Sequence, residues 1–201
     1  MNPDARREVD HWEAAARKDA RRACWDEDDW KFGVDHCLGY ILKTLRPLPN
    51  GARVLDLGAG VGRLACPLAR RYPFVEFVAA DASETMLKRV TRPPNLYCRQ
   101  IVDGRTLSGL PLLTAAYSVL LFQHLPPAVV ASYINQVADR LVSGGRFCFQ
   151  YVEGQTDQFL AHDFTEPLVK QWCVDAGFET IEVEADDGYS SNWRWVRAVK
   201  P

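Results

Sequence analysis

From Gly51 onward, short apolar runs alternate with stretches of helical periodicity. The runs at 53–57, 74–80, 96–100, 117–122 and 146–151 predict buried strands. Residues 62–71, 84–89, 127–141 and 166–176 predict helices, and the segment between 100 and Ala116 reads as a loop with one short turn. Proline opens the helix at Pro127, Gly144-Gly145 closes it, and Gly177 caps the helix that ends at Ala176. The last two runs, 178–184 and 192–198, leave no room for a helix between them and predict an antiparallel pair at a sheet edge. Strand–helix alternation of this kind implies an α/β fold, a parallel sheet covered on both faces.

The first fifty residues carry a different pattern. Residues 4–24 are rich in good helix formers. The acidic and aromatic stretch Trp25-Asp26-Glu27-Asp28-Asp29-Trp30-Lys31-Phe32-Gly33 follows. Val34, Leu38, Ile41, Leu42 and Leu45 then recur at helical spacing over 34–46, before Pro47 and Pro49-Asn50-Gly51 end the helix. The expected organisation is one domain, with residues 1–50 as an N-terminal helical cap and 51–201 as the core.

Composition narrows the class. A chain of 201 residues with 47% hydrophobic and 25% charged content is a globular domain that needs no disulfide or metal to fold. Twenty-four basic against 26 acidic residues give a net charge of −2, which argues against retention on nucleic acid or anionic lipid by bulk charge. The six cysteines form no CxxC pair and no zinc-ligand spacing with histidine, so they read as free thiols of a reducing compartment. No apolar run is long enough to cross a bilayer, and Met1–Arg7 precede no hydrophobic signal core. A cytoplasmic location without membrane attachment is expected.

The chemistry concentrates in Val54-Leu55-Asp56-Leu57-Gly58-Ala59-Gly60-Val61-Gly62-Arg63-Leu64. A buried strand runs into a glycine turn, and the turn into a helix. Glycines allow positive φ and close approach of a ligand, and a helix N-terminus offers free N–H groups. A P-loop needs Gly-Lys-Ser/Thr, which Arg63-Leu64 does not supply. A dinucleotide loop needs its third glycine where Arg63 stands. Asp56 precedes the first glycine by two residues; a carboxylate there disfavours a pyrophosphate and favours an ammonium group. S-adenosylmethionine, with an α-amino group, a sulfonium, a ribose and an adenine, meets that demand. Asp81 closes the second strand, where an acid accepts from ribose hydroxyls, a feature equally compatible with NAD. Asp103-Gly104 follows the third strand, where an acceptor could take the adenine amino group. Each aspartate alone could be a turn or N-cap residue.

These residues resemble the class I S-adenosylmethionine-dependent methyltransferases of the small-molecule type. Residues 54–64 look like the family's first motif, Asp81-Ala82-Ser83-Glu84-Thr85-Met86-Leu87 its second, and Ile101-Val102-Asp103-Gly104 its third. Phe122-Gln123-His124-Leu125-Pro126 and Leu141-Val142-Ser143-Gly144-Gly145-Arg146-Phe147 resemble its fourth and fifth strand regions. The resemblance implies a Rossmann-like three-layer sandwich with a seven-stranded, mostly parallel sheet whose last strand is antiparallel. It implies that Asp56 and the loop Gly58, Ala59, Gly60, Gly62 and Arg63 hold the amino-acid end of the cofactor. Asp81 would hold the ribose, Ala82 and Met86 would flank the adenine, and Asp103 with Gly104 would take its amino group. Two departures stand out: Ala116-Tyr117-Ser118 lacks the aspartate that often begins strand four, and the segment after strand five is short. The second shifts the acceptor pocket toward the N-terminal helices.

Phe122, Gln123 and His124, together with Gln150, Tyr151 and Glu153, should face the methyl group at the sheet's carboxyl edge. His124, with Gln123 beside it, is the candidate base or acceptor contact; alternatively it fixes the turn before Pro126-Pro127. His11 and His36 read as helix-surface residues and His162 as a loop residue. Trp12, Trp25, Trp30 and Phe32 could form a water-excluding lid or pack ordinarily, while Trp172, Trp193 and Trp195 read as core. The leading expectation is transfer of a methyl group to O, N or C of a small molecule, with no metal and no nucleic-acid partner. The alternatives are an RNA or protein methyltransferase, a non-catalytic cofactor-binding module, and an NAD enzyme, the last disfavoured by Arg63 and Asp56. The DNA amino-methyltransferase element is missing at His124-Leu125-Pro126-Pro127-Ala128.

Overall fold

The computed structural model describes residues 3–19, 30–101, 106–154, 162, 164–188 and 192–201. Two helices open the chain, α1 (Pro3–Asp19) and α2 (Trp30–Leu45). There follow β1 (Arg53–Leu57), α3 (Ala65–Arg71), β2 (Glu76–Asp81), α4 (Glu84–Leu87), β3 (Leu96–Gln100), β4 (Leu113–Ser118), α5 (Pro127–Arg140), β5 (Leu141–Val152), α6 (Glu166–Asp175), β6 (Thr180–Ala185) and β7 (Trp193–Val199). Short 3-10 turns at Thr106–Gly109 and Phe122–His124 flank β4.

The seven strands lie in the order β3-β2-β1-β4-β5-β7-β6. β7 runs antiparallel to both β5 and β6, and the other neighbouring strands pair in parallel. The final two runs are therefore the expected antiparallel pair, with β7 inserted between β5 and β6. Strand order reverses between β1 and β4, so the chain leaving each turns to an opposite side and opens a crevice at the sheet's carboxyl edge. Period-two alternation sends neighbouring residues to opposite faces. Val54, Phe77, Ala79, Tyr117 and Cys148 meet Ile41 and Leu45 of α2 and Leu68 of α3. Leu55, Leu57, Ala116, Phe147 and Phe149 meet Ile134 of α5 and Val169 of α6. No helix among the described residues is long and apolar enough to cross a membrane.

Several boundaries differ from expectation. β4 runs from Leu113 to Ser118 rather than over 117–122, because the apolar run Val119-Leu120-Leu121-Phe122 turns away from the sheet with Leu120 at φ 58°. Apolar character alone cannot separate a strand from a buried turn. α3 begins at Ala65 rather than Gly62, since Gly62 at φ 79° is still in the turn. α5 ends at Arg140, and Gly144-Gly145 sit inside β5. There the partner of Leu113 is Leu141 while that of Ala115 is Arg146, so extra β5 residues bulge past β4. The helix expected over 4–24 is observed as far as Asp19, and residues 20–29 lie outside the described residues. α2 packs into the core between sheet and solvent, whereas α1 rests on α4 near the carboxyl edge.

Candidate functional site

The turn after β1 is built by three glycines with positive φ: Gly58 at 80°, Gly60 at 55° and Gly62 at 79°. A Cβ on Gly58 would lie 2.9 Å from Leu121, and one on Gly62 would lie 2.9 Å from Cys66 Sγ and Val90 Cγ1. The turn is tied to β2. Gly58 and Ala59 donate backbone N–H groups to the Ala80 carbonyl, at 2.8 and 3.0 Å. Gly60 N–H donates to Asp81 Oδ2 at 2.7 Å, and Ser83 N–H donates to Oδ1 at 2.8 Å. Asp81 thus clamps the glycine turn to the start of α4, with one lone pair of each oxygen used. Burial raises its pKa, those two N–H groups oppose the rise, and the Glu13 carboxylate adds to it. Across the crevice, Ser118 Oγ donates to the Leu57 carbonyl at 2.9 Å and fixes β4 to the end of β1.

Asp56 is 3% exposed. Its carboxylate therefore lies within the protein beside Tyr117 and Arg63, not at an open mouth. Burial pushes its pKa up to about 7; the Tyr117 hydroxyl and the Arg63 guanidinium oppose the rise, and the Asp81 charge adds to it. Arg63 also reaches the Cys37 thiol of α2, so it bridges the glycine turn to that helix. Met86 is buried against Ala16 of α1, with Trp12 and Val61 packed alongside. Ala82 is half-buried, and its carbonyl accepts from Gln100 Nε2 at 3.1 Å. Asp103 and Gly104 lie outside the described residues.

After β4, the Phe122 ring is fully buried against Phe147 and Phe149. It belongs to the α5-side core, because the turn that follows Leu120 points the ring inward. His124 stands on the same turn. Its Nδ1 is buried with no hydrogen-bond partner among the described residues. Burial, with smaller contributions from His11 and His162, holds its pKa down at about 4. The imidazole is therefore neutral at pH 7 and can accept a hydrogen bond. The carbonyl of Gln123 accepts from His162 N–H at 2.8 Å. Gln123 and Gln150 are each 1% exposed; Gln123 Oε1 and both amide atoms of Gln150 have no partner among the described residues. Tyr151 OH is likewise buried and unpartnered, on the α6 side beside Phe164. Buried polar atoms in that condition are costly, which favours ligand contact at the Gln123 and His124 turn.

Two contributions were not read from the sequence. Trp12 of α1 meets His124 edge-on, with ring centroids 5.1 Å apart. His36, expected on a helix surface, instead bonds Asp186 at 3.0 Å to both carboxylate oxygens. Nothing in helical periodicity pairs residues 150 positions apart, and the one local signal is the turn composition of Asp186-Asp187-Gly188.

Residues 54–145 match the family described as a methyltransferase domain. Trans-aconitate 2-methyltransferase of Variovorax paradoxus (strain S110) is 51% identical over 41 residues, which are 20% of this chain and 16% of that relative. Magnesium protoporphyrin IX methyltransferase of Synechocystis PCC 6803, solved with S-adenosylmethionine, superposes with TM-score 0.65 at 18% identity over 84% of this chain and 78% of that one. Human N-acetylserotonin methyltransferase, also with S-adenosylmethionine, gives TM-score 0.68 at 13% identity over 98% of this chain and 56% of that one.

Proposed function

We propose that this chain, which carries a methyltransferase domain over residues 54–145, transfers a methyl group from S-adenosylmethionine to an O, N or C atom of a small-molecule acceptor. The observation that carries this reading is the clamp of Gly60 N–H and Ser83 N–H on Asp81 beside a turn of positive-φ glycines. The residues fit the cofactor. Each Asp81 oxygen keeps a lone pair for a ribose hydroxyl, and Met86 offers an apolar surface for the adenine with Ala82 beside it. Asp56 and the turn from Gly58 to Arg63 suit a cationic amino-acid end, and acids rather than lysines surround the turn, which disfavours a phosphate.

When bound, the cofactor supplies an electrophilic methyl on a sulfonium, displaced in line by the acceptor's electron pair. The chain's part is alignment and exclusion of water. α1 would cover the acceptor side, with Trp12 closing over His124. Neutral His124 would take the acceptor's proton or a hydrogen bond from it, and the Gln123 amide would orient it. Asp103 and Gly104 are proposed to hold the adenine amino group, and the Phe122 turn contributes through its backbone. The small-molecule acceptor is favoured by near-zero net charge and by relatives whose names state such substrates. Nucleic acid and membrane partners are not required by this reading. The described cysteines, Cys37, Cys66, Cys98, Cys148 and Cys173, are free thiols, in keeping with a cytoplasmic setting.

Calorimetry tests the cofactor assignment: S-adenosylhomocysteine should bind and NAD should not. A screen with labelled methyl donor against metabolite, RNA and protein pools then tests the acceptor class. Label appearing only in RNA or protein would replace the small-molecule reading.

A further inference from the structure

The α1 helix crosses three elements of the pocket rim. Ala16 is fully buried with Met86 of α4, Trp12 and Val61 of the glycine turn pack against that pair, and Trp12 meets His124 after β4. Glu13 stands three residues before Ala16, so the two share a side of the helix. Its Oε1 accepts from Thr85 N–H at 3.3 Å, and its Oε2 is buried without a hydrogen bond among the described residues. The Ser83 and Thr85 hydroxyls lie close by, and Glu13 is near enough to Asp81 to disfavour the charge of that carboxylate. Two carboxylates therefore share the mouth above the start of α4. Each Asp81 oxygen accepts from one loop N–H group, and Glu13 Oε2 has no hydrogen bond within distance among the described residues. Adjacent acids with spare lone pairs call for a ligand that brings hydrogen-bond donors between them.

We propose that Glu13 is a nucleoside-binding residue: with Asp81 it forms a two-carboxylate acceptor for the hydroxyl and amino donors of the cofactor's adenosine portion, so that cofactor binding fastens α1 over the site. This rests on the cofactor reading above. A hydrogen bond to an ionised carboxylate is worth about 1.5–3 kcal/mol, or roughly a ten- to hundredfold change in affinity. The Glu13→Gln variant keeps an oxygen for Thr85 N–H while it removes the charge and turns the second acceptor into a donor, which separates ligand binding from support of α4.

The test is calorimetry of the full chain with S-adenosylhomocysteine and with adenosine, for wild type, Glu13→Gln and Glu13→Ala, together with the melting temperature of each ligand-free protein. The expected result is a loss of about tenfold or more for both ligands in Glu13→Gln, with an unchanged ligand-free melting temperature. Trypsin gives a second readout, because Arg6, Arg7, Arg17 and Lys18 on α1 are exposed. S-adenosylhomocysteine should slow cleavage there in wild type and not in Glu13→Ala. Wild-type affinity in Glu13→Gln overturns the proposal while leaving the cofactor reading intact. A loss confined to S-adenosylhomocysteine, with adenosine unaffected, also overturns it, as does a fall in affinity matched by a fall in ligand-free stability. Absence of binding by wild type would instead remove the cofactor reading itself.

Discussion

The edge of the Trp12 indole meets the His124 imidazole, with ring centroids 5.1 Å apart and planes at 69°. This contact joins the first helix of the chain to the turn that leaves the fourth strand. Burial lowers the pKa of this histidine to about 4. The folded chain thus refuses a proton that the unfolded chain accepts below about 6.5. Stability should be present in full above that pH and fall as pH drops toward 4. In Trp12→Ala, proton NMR should find the His124 pKa moved up toward its ordinary value. A value still near 4 would mean that the rest of the pocket, not α1, keeps the ring dry.

His124 also separates binding from turnover. Replacing it by alanine should leave S-adenosylhomocysteine affinity unchanged and slow methyl transfer by about 10²–10⁴-fold if it takes the acceptor's proton. Single-turnover rates with labelled donor measure this. A loss below about threefold would confine His124 to shaping the turn.

Asp56 carries the opposite sign of pH dependence. Its pKa is raised to about 7 in the folded chain, so the folded state keeps a proton that the unfolded chain releases near 4. Stability should fall as pH rises from about 4 to 7. Asp56→Asn should raise the melting temperature of the ligand-free protein more at pH 8 than at pH 5. It should also weaken S-adenosylhomocysteine binding, because the amide cannot balance an ammonium. Melting curves at both pH values together with calorimetry decide it; a variant that is more stable and binds as wild type removes Asp56 from the site.

Gly62 has no room for a side chain. A Cβ would meet Cys66 and Val90 at 2.9 Å on a backbone already at φ 79°. Gly62→Ala should destabilise by about 1–3 kcal/mol, combining left-handed strain with overpacking, and weaken cofactor binding. Urea unfolding measures the first effect. Gly51, at φ 79° with open space around it, is the control for strain without the clash.

The succession of strands along the chain and the glycine turn were legible because both are local. Buried parallel strands are short apolar runs, and Asp56 through Gly62 announces its turn by glycine spacing. The end of β4 was not legible. Leu120 adopts a positive φ that no leucine advertises, and the run through Phe122 is equally apolar in the strand and after it. The acceptor side depends on contacts between α1 and distant turns, such as Trp12 with His124 and Glu13 with Thr85, which hydrophobic pattern cannot pair. The same limit hid the partner of His36.

That partner, Asp186, yields the last prediction. Its Oδ1 accepts from Gly188 N–H at 2.9 Å and its Oδ2 from the Trp195 indole at 2.7 Å. His36 Nε2 lies 3.0 Å from both oxygens. Tyr40 stacks on Trp195 at 4.6 Å and donates to Asp187 Oδ1 at 2.9 Å, so α2 and the β6–β7 connection close around one buried carboxylate. Gly188 permits this approach, since a Cβ there would lie 2.5 Å from the His36 ring. Alanine at 186 strands the Trp195 N–H and the His36 ring together, and breaking a buried network of this type costs about 3–5 kcal/mol. Asp186→Ala should shift the urea midpoint accordingly without changing the slope. Asp186→Asn should lose less, because its amide oxygen still accepts one donor. S-adenosylhomocysteine affinity in the asparagine variant should remain within about threefold of wild type, since Gly188, Trp195 and His36 lie away from the glycine turn. Equal loss of stability in both variants would show that the charge on Asp186, rather than its count of accepted hydrogen bonds, holds α2 to the sheet.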